Sequence, residues 1–195
     1  KYNVLVISDE IHAPLIFNET KFVPYLNVSD TARETGVCIT SASKAWNLAG
    51  LKCAQIVADD SVINDRLALL PPLLSERASL FGVWAGIAAY NQGEPWLKAV
   101  LKNIDGNRHY LAKLLKKHLP KAKYTVPNGT YLAWIDLSAY GQDEVAQLLL
   151  DKGRVALSNG SLFGGVGKGF VRLNLATSKE IIKDAVLRMA SVLEG

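Results

Sequence analysis

Short apolar runs that stop abruptly at polar residues constrain this chain more than any other feature. Val4-Leu5-Val6-Ile7 ends in Ser8-Asp9-Glu10, and Val37-Cys38-Ile39-Thr40 ends in Ser41-Ala42-Ser43-Lys44. A continuous apolar run of this length predicts a central parallel strand, buried on both faces, with polar groups at its carboxyl end. Residues 53–58 carry the same pattern, and residues 29–36 predict a helix that stops at Gly36. Strand, helix and strand in this order make an α/β pattern, and open α/β sheets bind ligands beyond the carboxyl ends of their strands.

Chemistry-bearing residues fall at those ends. Asp9 closes the first run. Lys44 follows the second, with hydroxyls at Ser41 and Ser43, and a further cation, Lys52, comes after Gly50. A lysine amine, an anion-sized group of hydroxyls and cations, and an acid at a neighbouring strand end together suit pyridoxal 5′-phosphate. That cofactor needs a Schiff-base lysine and a carboxylate partner for its pyridinium nitrogen.

Composition narrows the classes. A chain of 195 residues with 49% hydrophobic side chains can bury a substantial core and is not expected to be disordered. A net charge of +4 is too mild to argue for nucleic acid. The densest basic cluster, from Lys113 to Lys123, reads as the solvated carboxyl end of a helix. No run is long and apolar enough to span a bilayer. The 2 cysteines, Cys38 and Cys53, read as buried free thiols and fit a cytoplasmic setting. The 3 histidines and 2 cysteines show no metal-ligand spacing.

Helices are expected over 61–70, 75–91 and 95–119, the first broken by Pro71-Pro72 and the last stopped by Pro120. Strands are expected over 124–126 and 131–137, joined by Pro127-Asn128-Gly129, and over 155–157 and 170–175. Helices are expected over 143–152 and after Ser178. The change of character places a domain boundary inside the long helix, giving units 1–96 and 97–195. The glycine tract around Gly167-Lys168-Gly169 lacks the Ser or Thr and the leading glycine of a phosphate-binding P-loop, and it reads as a tight flexible turn.

The blocks Asp9-Glu10-Ile11-His12, Ser41-Ala42-Ser43-Lys44 with Asn47 and Gly50-Leu51-Lys52, Pro127 to Trp134, and Gly164 to Ala176 occur in a fixed order. In that order the chain resembles the fold-type I pyridoxal-phosphate enzymes of the class I/II aminotransferase superfamily. Within it, the likeness is to the cystathionine β-lyase branch of MalY/PatB type, which are carbon–sulfur lyases. The resemblance implies the remainder of a large, mostly parallel α/β domain followed by a small α/β domain. It implies enzymes of about twice this length, so that the chain is their C-terminal half, inactive by itself, and that the full-length parent is a homodimer acting on a small amino acid.

Roles follow from the resemblance. Lys44 would carry the cofactor and act as general base. Asp9 would pair with the ring nitrogen, and His12 would lie near the ring oxygen. Ser41, Ser43 and Lys52 would hold the phosphate, and Arg172 the substrate carboxylate. The implied reaction is α,β-elimination from cystathionine or a cysteine S-conjugate. An aminotransferase using the same residues is the first alternative. A non-catalytic α/β association domain is the second. The bland readings are a solvated loop lysine for Lys44, a helix-capping or turn aspartate for Asp9, a turn serine and surface lysine for Ser41 and Lys52, and an internal ion pair for Arg172.

Overall fold

Residues 4–17 and 20–195 are described in the computed structural model and fall into two units, Lys1–Ala99 and Val100–Gly195. In the first unit, β1 (Val6–Asp9) pairs in parallel with β2 (Gly36–Thr40), and β2 pairs antiparallel with β3 (Gln55–Val57). Helix α1 (Asp30–Thr35) makes the crossover from β1 to β2. It starts where Ser29 Oγ accepts from Ala32 N and stops at Gly36. A Cβ at Gly36 would run into the Ala32 carbonyl, so the helix can abut the strand only through glycine.

Beyond β3, Asp60 caps α2 (Ser61–Ala68) by accepting from Ile63 N. Pro71 and Pro72 then interrupt the helical path before the single turn α3 (Leu73–Glu76). Ser79 caps α4 (Leu80–Gln92), whose Gly82 lies so close to the Leu51 carbonyl that a side chain there would collide. The opposite flank of α4 is bare: Phe81 is 69% exposed and Trp84 58%. A cleft of about 1100 Å³ lies between β3 and helices α2 to α4, lined by apolar groups such as Ile56, Leu67 and Ile87.

Helix α5 (Glu94–His118) passes into the second unit, whose four-stranded antiparallel sheet has the order β4 (Lys123–Tyr124), β5 (Leu132–Asp136), β7 (Phe170–Asn174), β6 (Ser158–Asn159). Period-2 alternation decides its faces. Ala133, Ile135, Val171 and Leu173 are buried, with Leu111 and Leu115 of α5, Leu149 of α6 (Val145–Gly153) and Val186 of α7 (Lys179–Leu193). Trp134, Phe170 and Arg172 project from the other face. Buried Asn107 donates to the carbonyls of Leu175 (2.9 Å) and Thr177 (2.7 Å), tying α5 to the chain leading into α7.

Several expectations need correction. The first strand is Val6–Asp9 rather than 4–7, because its extent is set by register with β2, Val6 opposite Gly36 and Asp9 opposite Ile39. It is not buried on both faces, since Ile7 is 65% exposed. No described element of the chain covers that side. The third strand is antiparallel, not parallel. Residues 41–54 fold into turns and a 3-10 turn, Ala49–Leu51, instead of a crossover helix, so the chain returns the way it came. Cys53 is half-buried rather than buried. The helix expected over 75–91 begins only at Leu80, where Ser79 supplies its cap. Residues 155–157 are not a strand. Arg154 takes a left-handed conformation and Val155 N still bonds Leu149 O, so the chain is wrapping the end of α6 until pairing starts at Ser158.

Candidate active site

Parallel pairing puts the carboxyl ends of β1 and β2 at one edge of the first sheet. Asp9 ends β1, and the turn carrying Ser41, Ser43 and Lys44 leaves β2 at that edge. Asp9 is exposed, and its Oδ1 accepts from Ile11 N at 3.2 Å, a local turn that fixes the carboxylate. His12 lies in the same turn, its carbonyl accepting from Leu15 N.

The turn after β2 is fastened from within. Ser41 is 2% exposed. Its hydroxyl donates to the Cys53 carbonyl at 2.5 Å, an acceptor only, so Ser43 Oγ is the donor in the 2.5 Å contact between the two hydroxyls. Ser43 N also donates to Ser41 Oγ, at 3.0 Å. Ser41 therefore braces the turn against the start of the returning chain, and its proton would have to turn away from Cys53 to reach an anion. Lys44 is half-buried, and its ammonium makes no ion pair among the described residues. Lys52 is exposed in a left-handed conformation, φ 53°, closing the 3-10 turn that begins at Ala49. Its carbonyl accepts from Ser79 N.

Two further residues support the site. Glu10 Oε1 accepts from Ser8 Oγ (3.1 Å), Tyr25 N (2.7 Å) and Cys38 Sγ (3.1 Å), joining β1, β2 and the loop before α1. Burial, and then the Glu10 carboxylate, push the Cys38 thiol up from its ordinary value and keep it inert. Trp46, two residues past Lys44, donates its indole N–H to the Gly93 carbonyl. An acidic neighbour and an apolar ring are too common in sequences to have signalled either role.

These residues suit a phosphorylated pyridine aldehyde. An amine, a carboxylate, two hydroxyls and a cation are gathered by one sheet edge and its following turn, and among the described residues no internal ion pair consumes the lysine. Asp9, His12, Ser41, Ser43, Lys44 and Lys52 all belong to the first unit.

Arg172 belongs to the second. It sits mid-sheet on the open face, opposite Ser158 on β6 and Trp134 on β7's other neighbour, β5. Its guanidinium carbon lies 4.5 Å from the Phe163 ring centroid, and Nη2 donates to Ser158 Oγ at 3.4 Å. Among the described residues no carboxylate pairs with it. Burial pushes the Tyr131 phenol up, while the positive charge of Arg172 pulls the other way.

The family model for aminotransferase class I and II matches residues 1–189, and the chain belongs to that family. It is 43% identical, over its whole length and 52% of the other protein, to a Mycobacterium tuberculosis protein provisionally named as a cystathionine beta-lyase. It is 35% identical to cystathionine beta-lyase PatB of Bacillus subtilis, covering 99% of this chain and 51% of PatB. The pyridoxal-phosphate-bound C–S lyase of Staphylococcus hominis superposes with a TM-score of 0.86 at 30% identity, over 97% of this chain and 50% of that one. The mixed α/β architecture is thus that of part of such an enzyme, and the chain spans about half the length of the curated relatives it matches.

Proposed function

We propose that this chain is part of a pyridoxal-phosphate-dependent carbon–sulfur β-lyase. The observation that carries the reading is the shared edge: Asp9 ends β1, and the Ser41–Lys44 turn leaves its parallel neighbour β2. Names of similar proteins, cystathionine beta-lyase and C–S lyase, favour elimination over amino-group transfer. The activity is proposed for the protein at its relatives' full length. This chain alone is expected to be inactive.

Bound at this edge, the cofactor would join to amines through its aldehyde and act as an electron sink for negative charge at a substrate Cα. Asp9 would accept a hydrogen bond from the ring N–H and hold that proton in place. Ser43 and Lys52 would hold the phosphate, with Ser41 bracing them, and His12 would stand near the ring oxygen. Lys44 Nζ would be the attachment point and then the base that takes the Cα proton. Arg172 would grip the α-carboxylate through two parallel N–H donors. Loss of the Cα proton with cleavage of the Cβ–S bond releases a thiol, and hydrolysis leaves pyruvate and ammonia.

Borohydride reduction in the presence of pyridoxal 5′-phosphate tests the first part. A pyridoxyl group should be fixed on the peptide containing Lys44, and a K44A variant should lose it. For the full-length protein, thiol and pyruvate should form from cystathionine without added keto acid. A strict requirement for a keto acid would instead make it an aminotransferase. No labelling at Lys44 in either form would sink the proposal.

A further inference from the structure

Phe163 is carried on a loop, residues 160–167, built to hold it in one place. The loop is pinched at its neck by two buried glycines. A Cβ on Gly160 would run into the Gly167 carbonyl, and a Cβ on Gly167 into the Gly160 carbonyl. Only two glycines allow that crossing of backbones. At the base, Asn159 Oδ1 accepts from Ser161 N and starts a 3-10 turn, Gly160–Phe163. Gly164 then reverses the chain at φ 114°. Leu162 and Val166 point outward, 77% and 92% exposed, while Phe163 turns back to the sheet. Its ring meets Trp134 edge-on at 5.6 Å and lies against the Arg172 guanidinium.

We propose that Phe163 is a positioning residue for the carboxylate that Arg172 binds, an inference that rests on that role for Arg172. The Arg172 guanidinium carbon lies over the half-exposed Phe163 ring, which shields that side of the cation from water. The cation–π contact restrains the long side chain. Nη2 donates to Ser158 Oγ, and no carboxylate among the described residues takes the other N–H donors, which a ligand carboxylate would use. The loop therefore meets part of the ordering cost before the ligand arrives.

The test uses the protein at its relatives' full length, loaded with pyridoxal 5′-phosphate and labelled with 15N-arginine, with the Nε–Hε signal of Arg172 assigned by its loss in R172K. L-alanine is the probe, since it has a carboxylate but no leaving group, and L-alaninol is the control lacking the carboxylate. In the wild type the Arg172 signal should be shifted by the ring current of Phe163. It should move on titration with L-alanine and ignore L-alaninol. In F163L the ring-current shift should vanish and L-alanine should bind about three- to fivefold more weakly, the range of an exposed cation–π contact. F163Y should restore both. Equal affinity in wild type and F163L overturns the inference and leaves the carboxylate role standing. A wild-type signal indifferent to L-alanine overturns that role and this inference with it. If F163L loses its dispersed spectrum, F163M replaces it. Unfolding of both variants would make the ring structural and overturn the proposal.

Discussion

The indole N–H of Trp46 donates to the carbonyl oxygen of Gly93 at 3.0 Å, so the turn that holds Lys44 is bolted to the end of α4. The Tyr90 ring meets the same indole edge-on at 5.2 Å. Space for the ring exists only because residue 93 has no side chain, since a Cβ there would run into Trp46 and the Ala89 carbonyl. G93A should therefore cost about 1–3 kcal/mol through overpacking, and W46F about 1 kcal/mol through the lost hydrogen bond. Urea unfolding of the two variants checks this. A neutral G93A would mean that the joint is loose.

Ser41 braces its turn in this structure. S41A would leave the Cys53 carbonyl and Ser43 N, in this part-buried turn, without their partner and should destabilise by about 1–3 kcal/mol. A loss of stability well below that, with a large loss of pyridoxal-phosphate binding, would assign Ser41 to the phosphate directly.

Tyr140 gives a test at alkaline pH. Its hydroxyl donates to Glu194 Oε1 at 2.6 Å. Burial, and then that carboxylate, push the phenol up to about 12 from its ordinary value of 10.0. A folded-state value above the unfolded one means that the contribution to stability is complete below pH 10 and is lost as the pH rises toward 12. The ultraviolet difference between wild type and Y140F should titrate near 12, and Y140F should lose less stability than wild type across that window. A phenolate forming at the ordinary value would contradict the Glu194 contact.

Adjacent leucines on α6 should behave differently. Leu149 is 0% exposed and Leu150 41%. L149A should cost about 2–5 kcal/mol by opening a cavity, and L150A under about 1 kcal/mol. Similar losses for both would show that α6 packs in another rotation.

What could be read in advance was whatever one residue decides locally. Ser178 does the capping that its position before a helical run suggests. Gly36 and Pro71 stop helices for reasons carried by the residue itself. Asp9 and Lys44 were placed at strand ends because apolar runs end visibly. What escaped depends on partners distant in sequence. The direction of β3 follows from how residues 41–54 fold on themselves, and the start of β6 from where β7 lies. Glu10, Trp46 and Phe163 acquire their roles from Tyr25 and Cys38, from Gly93, and from Arg172. No spacing encodes such pairings.

The uncovered flank of α4 has a practical meaning for anyone handling this polypeptide. With Leu80, Phe81 and Trp84 facing water, it should cling to phenyl resins and light up hydrophobic dyes. Ammonium sulfate should drive it out of solution early, because excluded salts magnify the penalty of wet hydrocarbon.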